Sequence, residues 1–285
     1  MEGPIPYCCL YEMCQRCYNP EVNKEKYYPV ILVHGHNFNK DLSAERSLSS
    51  LNSIQYELEE EGYINAGTLL IDDRGEVPFG VLGEVNAPLS IKTSYYFDLI
   101  KRNDQAIIIQ TKTDDIDSYS IRLKEIIDTV KYLTGKEKVI IIAHSMGGLV
   151  SERYLQIFGD SDVDNLILIG VPNGGIKGTI LSYCEFFGSK QSCNDMNEDS
   201  LFINKLTYGK KPNIPTYNVV GIGCNMNGED GDGIVTKESA RVDWTNNYYI
   251  NGTCEESKFK FLHGDLINVE KYPEYYELIK EFLKG

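Results

Sequence analysis

Apolar runs of strand length alternate with stretches of helical period along most of the chain. The first convincing strand is YPVILVHG, ending near His34. A polar-faced helix is predicted over 44–61, and AGTLLID reads as the next strand. Residues 74–90, RGEVPFGVLGEVNAPLS, are punctuated by Gly and Pro, which suits an irregular excursion over a binding face. IKTSYYF and QAIIIQT follow as two strands. From Ile116 to about Leu133 the period changes: Tyr119, Leu123, Ile126, Ile127, Val130 and Leu133 fall on one helical face, and TGKEK ends that helix. VIIIAH is apolar up to its last residue, as expected of a parallel strand covered on both faces. A helix through GGLVSERYLQIF comes next, then the strands NLILIG and TYNVVGIG and a short strand, KFKFL. The closing helix after Pro273 carries Tyr276, Ile279 and Phe282 or Leu283 on one face. Strands alternating with crossover helices predict an α/β fold with a mainly parallel central sheet flanked by helices.

The 285 residues, 42% of them hydrophobic, suffice for one large core. The net charge of −14 repels a phosphate backbone, so no nucleic acid partner is expected. No run approaches the roughly 18 apolar residues that a membrane helix needs. The opening stretch MEGPIPYCCLYEMC has no basic n-region or apolar h-region, so no signal peptide is visible, as in a mature or trimmed form. Eight cysteines change the picture. They fall as a cluster (Cys8, Cys9, Cys14, Cys17), a close pair (Cys184, Cys193) and a wider pair (Cys224, Cys254). This grouping predicts bridges Cys184–Cys193 and Cys224–Cys254, with the cluster paired among itself, and hence a secreted or extracytoplasmic protein. Zinc held by Cys14 and Cys17 with Cys8 or Cys9 is the alternative for the cluster. The sequon Asn251-Gly252-Thr253 adds little.

The run VIIIAHSMGGLV asks why a buried strand should deliver one hydroxyl onto a tight turn. A small-x-Ser-x-Gly sequence between strand and helix places the serine Oγ at the carboxyl edge of the sheet, where ligands of open α/β sheets bind. The turn strains the serine backbone, so the residues two before and two after must be small; here they are Ala143 and Gly147. Gly148 lets the following helix pack closely, and that helix points its positive end at a developing oxyanion. Ser145 is therefore the candidate nucleophile.

With this elbow, PVILVHGHN, GVPNGG, GDGIV and FLHGDL make the chain resemble the α/β-hydrolase superfamily, within it the lipases and esterases, from about Tyr28 to Leu283. Ala143 stands where the strict elbow motif has Gly. The resemblance implies a nucleophile, acid and base in the order Ser145, Asp232, His263. His263 is taken from the late loop, and Asp232 from Asp232-Gly233-Ile234-Val235. Asp230 and Glu229 remain alternatives for the acid, and Asp265 reads as a loop residue. It further implies an oxyanion hole made of the backbone N–H groups of Met146 and His36. His144 is expected to be structural. Asn37 is a candidate pocket residue. An insertion over 176–212 occupies the usual lid or cap position, with Ile180, Leu181, Phe186 and Phe187 as candidate substrate contacts. Those four could equally belong to a helix buried against the body. The expected organisation is a cysteine-rich extension (1–27) and one hydrolase domain (28–285) carrying the 74–90 loop and the lid.

The implied activity is cleavage of carboxylic esters through an acyl-enzyme, with no metal and no organic cofactor. The implied partner is an ester or lipid small molecule, with room for transient contact with a lipid surface; the oligomeric state is left open. An acyltransferase, a thioesterase, or a phospholipid or glycolipid deacylase would use the same residues, and an inactive binding protein would share the fold.

Overall fold

The structure, a computed structural model, describes residues 7–10, 13–16, 28–35, 44–70, 88–102, 105–110, 114–178, 180–181, 184, 190–255 and 260–284. After a hairpin of β1 (Tyr7–Leu10) and β2 (Met13–Arg16) come β3 (Val30–Val33), α1 (Ala44–Ser49), α2 (Asn52–Glu60), β4 (Ile64–Leu69) and β5 (Leu89–Thr93). A second hairpin, β6 (Phe97–Arg102) and β7 (Gln105–Gln110), leads to α3 (Ile116–Thr134), β8 (Val139–His144), α4 (Met146–Phe158) and β9 (Val163–Ile169). Then follow α5 (Lys190–Asp195), α6 (Leu201–Tyr208), β10 (Thr216–Ile222), β11 (Cys224–Met226) and β12 (Glu229–Gly231). The remaining elements are α7 (Lys237–Ala240), β13 (Asn246–Asn251), α8 (Leu262–Asp265) and α9 (Pro273–Lys284).

Seven strands form one sheet in the order β13-β10-β9-β8-β3-β5-β4, and every pairing in it is parallel. The apolar runs are continuous because both faces are covered. Ile31 and Val33 of β3, Ile141 and Ala143 of β8, and Leu166 and Leu168 of β9 pack with α3 and α4. The intervening Val30, Leu32, Ile140, Ile142, Ile167 and Ile169 pack with α2 and α9. Strand geometry sends successive side chains to opposite faces, so unbroken hydrophobicity is what two covered faces require. Asp115 caps α3 by accepting from the Ser118 N–H at 2.7 Å, and Gly135, at φ 65°, ends it. These are the signals of a bounded helix. This is the α/β-hydrolase fold. Among the described residues no helix is long and apolar enough to cross a membrane.

Four details depart from the expected pattern. The helix predicted over 44–61 is broken between α1 and α2, where Leu51 turns fully into the core. The strand read as IKTSYYF begins earlier, at Leu89, and ends at Thr93, with Tyr95 and Tyr96 buried beyond it. QAIIIQT is a strand, but it pairs with β6 outside the main sheet. KFKFL is described only in part: Lys258 and Phe259 lie outside the described residues, Lys260 makes an isolated bridge with Glu255, and Leu262 opens α8. The edge strand next to β10 is β13, whose sequence NNYYIN buries only Ile250 fully and so shows no apolar run.

In the insertion over 176–212, Ile176, Phe202, Ile203 and Leu206 are buried in the core on the α3 and α4 side, and Ile180 and Leu181 are half-buried against it. Both predicted bridges form, Cys184–Cys193 and Cys224–Cys254. The side chains of the four N-terminal cysteines, residues 71–87, Phe186 and Phe187 lie outside the described residues. The Cys224–Cys254 bridge closes a segment of 30 residues. In the chain-entropy picture it contributes roughly 3–4 kcal/mol. Cys224→Ser/Cys254→Ser is thus expected to lower the denaturant midpoint by that equivalent, as equilibrium unfolding under oxidising conditions would measure.

Candidate active site

β8 ends at His144, and the next residue turns into α4. Ser145 sits on this turn at φ 54° and ψ −130°, one of two non-glycine residues with positive φ among those described. Such a conformation costs roughly 1–3 kcal/mol and persists only where the surroundings enforce it. They do so here. The Ser145 N–H donates to the Ile169 carbonyl at 2.9 Å, and its own carbonyl accepts from the Gly148 N–H at 2.9 Å. A Cβ on Gly147 would lie 2.4 Å from the His34 carbonyl oxygen, and one on Gly148 would lie 2.1 Å from Val171. The small residues demanded by the elbow are therefore demanded by contact with β3 and with the loop after β9.

His263 enters from α8, its N–H bonded to the Asp232 carbonyl at 2.9 Å. Its Nδ1 lies 2.7 Å from Asp232 Oδ2, and its Nε2 lies 2.9 Å from Ser145 Oγ. All three residues are buried. Asp232 Oδ1 accepts from the N–H groups of Ile234 (2.9 Å) and Val235 (2.7 Å). Held as an acceptor on every side, the carboxylate accepts the Nδ1–H hydrogen bond and keeps the imidazole proton on Nδ1, which leaves a lone pair on Nε2 for the serine O–H. The neighbouring carboxylates are occupied elsewhere. Asp230 accepts from the Gly223 N–H at 2.7 Å, Glu229 pairs with Lys177 at 2.8 Å, and Asp265 pairs with Lys271.

Two glycines that spacing does not single out make room for this pair. A Cβ on Gly221 would lie 2.6 Å from Asp232 Cβ, and one on Gly170 would lie 3.3 Å from His263 Nδ1. His144 also takes part, by a contact its sequence position does not disclose. Its Nε2–H donates to the His263 carbonyl at 3.0 Å, with the ring centroids 4.8 Å apart. Burial, together with the nearby His263, lowers its pKa to about 3, so the ring stays neutral.

Met146 opens α4, so its N–H belongs to the first-turn groups that lack an intrahelical acceptor. Of the other expected site residues, His36, Asn37, Phe186 and Phe187 lie outside the described residues. Ile180 and Leu181 are brought against the core, Ile180 also near Val220 and Ile234.

One buried acid stands apart from this relay. Glu152 of α4 is almost wholly enclosed, and its Oε1 has no hydrogen-bond partner among the described residues. Burial pushes its pKa up to about 8, with Lys211 pulling the other way. The folded chain therefore keeps a proton that the unfolded chain releases, and stability falls as pH rises from the ordinary carboxylate range towards about 8. Glu152→Gln keeps the shape and removes the ionisation. It is expected to stabilise the fold by on the order of a few kcal/mol above about pH 8, and by much less near about pH 5. Melting temperatures of both forms across that range check the sign.

A family model described as the α/β-hydrolase fold matches residues 99–195. Among solved structures, the chain is similar to the lipase BlEst2 of Bacillus licheniformis in its mature form. That likeness has a TM-score of 0.57 and 15% identity, over 94% of this chain and 96% of that one. It is also similar to the lin2722 gene product of Listeria innocua, with a TM-score of 0.54 and 19% identity, over 86% and 92% of the two chains. No curated protein matches the chain. At these identities the likeness is one of fold.

Proposed function

We propose that this chain, an α/β-hydrolase fold, is a serine hydrolase that cleaves carboxylic esters through an acyl-enzyme. The observation that carries the reading is the buried relay Asp232–His263–Ser145, with its hydroxyl on a strained strand-to-helix turn. Ser145 Oγ attacks the ester carbonyl carbon while His263 Nε2 takes the hydroxyl proton. The carbonyl oxygen becomes an oxyanion, for which we assign the N–H groups of Met146 and His36 as donors. His263 returns the proton to the leaving alcohol as the carbon–oxygen bond breaks, and the acyl group stays on Ser145. Water then attacks this acyl-enzyme, giving a proton to His263, which passes it to Ser145 Oγ as the acyl carbon–Oγ bond breaks, and the acid leaves with Ser145 restored. Throughout, Asp232 holds the imidazole in one tautomer and offsets its charge when protonated.

The two disulfides are consistent with an extracellular protein, and we infer export on that ground. We read residues 28–285 as one catalytic unit. The test is labelling by a fluorophosphonate probe, with the adduct mapped by peptide mass, beside turnover of p-nitrophenyl esters from acetate to palmitate and of emulsified triglyceride. Labelling at Ser145 with ester turnover is expected. A chain that neither takes up the probe nor turns over any ester of the series overturns the reading.

A further inference from the structure

Beyond the relay, the structure makes an unusual commitment to two carbonyl groups. His34 and Gly35 follow β3 and press on the nucleophile: a Cβ added at Gly35 would lie 2.6 Å from Ser145 Cβ. The His34 carbonyl accepts from Tyr95 Oη at 3.0 Å. The Gly35 carbonyl accepts from His34 Nδ1 at 2.7 Å and from Tyr96 Oη at 3.4 Å. Because a carbonyl only accepts, Nδ1 carries the proton of the His34 ring, and Nε2 accepts from Ser94 Oγ at 2.9 Å. Burial lowers the His34 pKa to about 4, which keeps this tautomer neutral. The ring stacks on Tyr95 at 5.0 Å and meets Tyr96 edge-on at 4.7 Å. The tyrosines are anchored in turn, Tyr95 against Tyr119 of α3 at 5.3 Å and Tyr96 through Ser47 of α1, whose Oγ lies 3.1 Å from Tyr96 Oη.

A buried turn needs its carbonyls satisfied, and one donor for each would do. Here three consecutive residues beyond the end of β5 converge on one dipeptide. An oxyanion is stabilised by N–H groups, and a carbonyl facing the same spot would repel it. The carbonyls of a segment beside the reacting oxygen must therefore turn away from it, into protein that holds no bulk water. In a trans peptide unit the carbonyl and the following N–H point in opposite directions, and no described peptide bond is cis. Fixing the carbonyls fixes the N–H edge.

We propose that Ser94, Tyr95 and Tyr96 are positioning residues. They hold the His34–Gly35 backbone with its carbonyls turned inward and its N–H edge turned to the oxyanion that forms at Ser145. This rests on the serine-hydrolase reading above. The clamp acts on the tetrahedral state rather than on the bound ester, so its loss is felt in kcat and not in KM.

The test uses Ser94→Ala, Tyr95→Phe and Tyr96→Phe in the full chain, with ester kinetics and the affinity of an alkyl trifluoromethyl ketone. With a serine hydrolase that ketone forms a hemiketal bearing the oxyanion. Each variant is expected to lose roughly tenfold in kcat with KM within about twofold, a fraction of what removing an oxyanion donor outright costs. Affinity for the ketone falls by the same factor. Folded variants with wild-type kcat and ketone affinity overturn the clamp and leave the hydrolase reading standing. So does a loss confined to KM, or a loss of kcat with no change in ketone affinity. A wild-type chain that neither turns over ester nor binds the ketone overturns both.

Discussion

Ser145→Ala is expected to lower kcat for ester hydrolysis by roughly five to six orders of magnitude, because the members of a serine relay act as a unit. The melting temperature should move by only a few degrees. Among the described residues the hydroxyl makes one hydrogen bond, to His263 at 2.9 Å, and alanine has the same Cβ in the same tight setting. A companion variant separates chemistry from strain. Ser145→Gly removes the nucleophile as completely, but glycine adopts φ 54° at little cost. It is expected to be as inactive as the alanine form and up to about 1–3 kcal/mol more stable. Steady-state kinetics and denaturant unfolding of the three forms check both halves. Activity in the alanine form above that of an Asp232→Asn control would remove Ser145 from the mechanism.

Asp232→Asn is expected to cost roughly four orders of magnitude in kcat, and the reason follows from who bonds to whom. Asp232 Oδ1 is committed to the N–H groups of Ile234 and Val235. Asparagine must keep its one carbonyl oxygen there, which turns its NH2 towards His263 Nδ1. That nitrogen must then accept, so the imidazole proton moves to Nε2, where it faces Ser145 Oγ with nothing to receive the serine proton. Asp230→Asn leaves this arrangement alone, since Asp230 caps the Gly223 N–H on the surface, and its effect should stay within severalfold. The reverse ranking of the two variants would move the acid to Asp230.

The strands that carry the site were legible because burial on two faces writes itself as unbroken apolar sequence. VILV and VIIIA can hardly be read otherwise, and the small residues around Ser145 then mark the turn from VIIIAH into the next helix. The choice among Glu229, Asp230 and Asp232 was not legible from spacing. It depends on the β11–β12 hairpin, which pairs Asp230 with Asn225 and Glu229 with Met226 and releases the chain just before Asp232. An edge strand such as β13 is masked by its own solvation, since only Ile250 needs to be buried. Ser94, Tyr95 and Tyr96 read as the continuation of a strand, because tyrosine favours strands whether it pairs or clamps. Gly170 and Gly221 give no signal at all in one sequence: their role is the space they leave beside His263 and Asp232.

The place of β3 inside the sheet, between β8 and β5, has a consequence for how the molecule comes into being. Val30 pairs with Ile140 and Val33 with Ala143, while on the other side β3 meets β5. None of these partners is a neighbour in the chain. Local hairpins and helices such as β6–β7 and α3 can form early, but β3 has to await a distant segment and bear the closure entropy before any contact rewards it. Its docking against β8 is also the event that brings Gly35 onto Ser145. Ser145 thus acquires its contact with Gly35 only once strands far apart in the chain have paired.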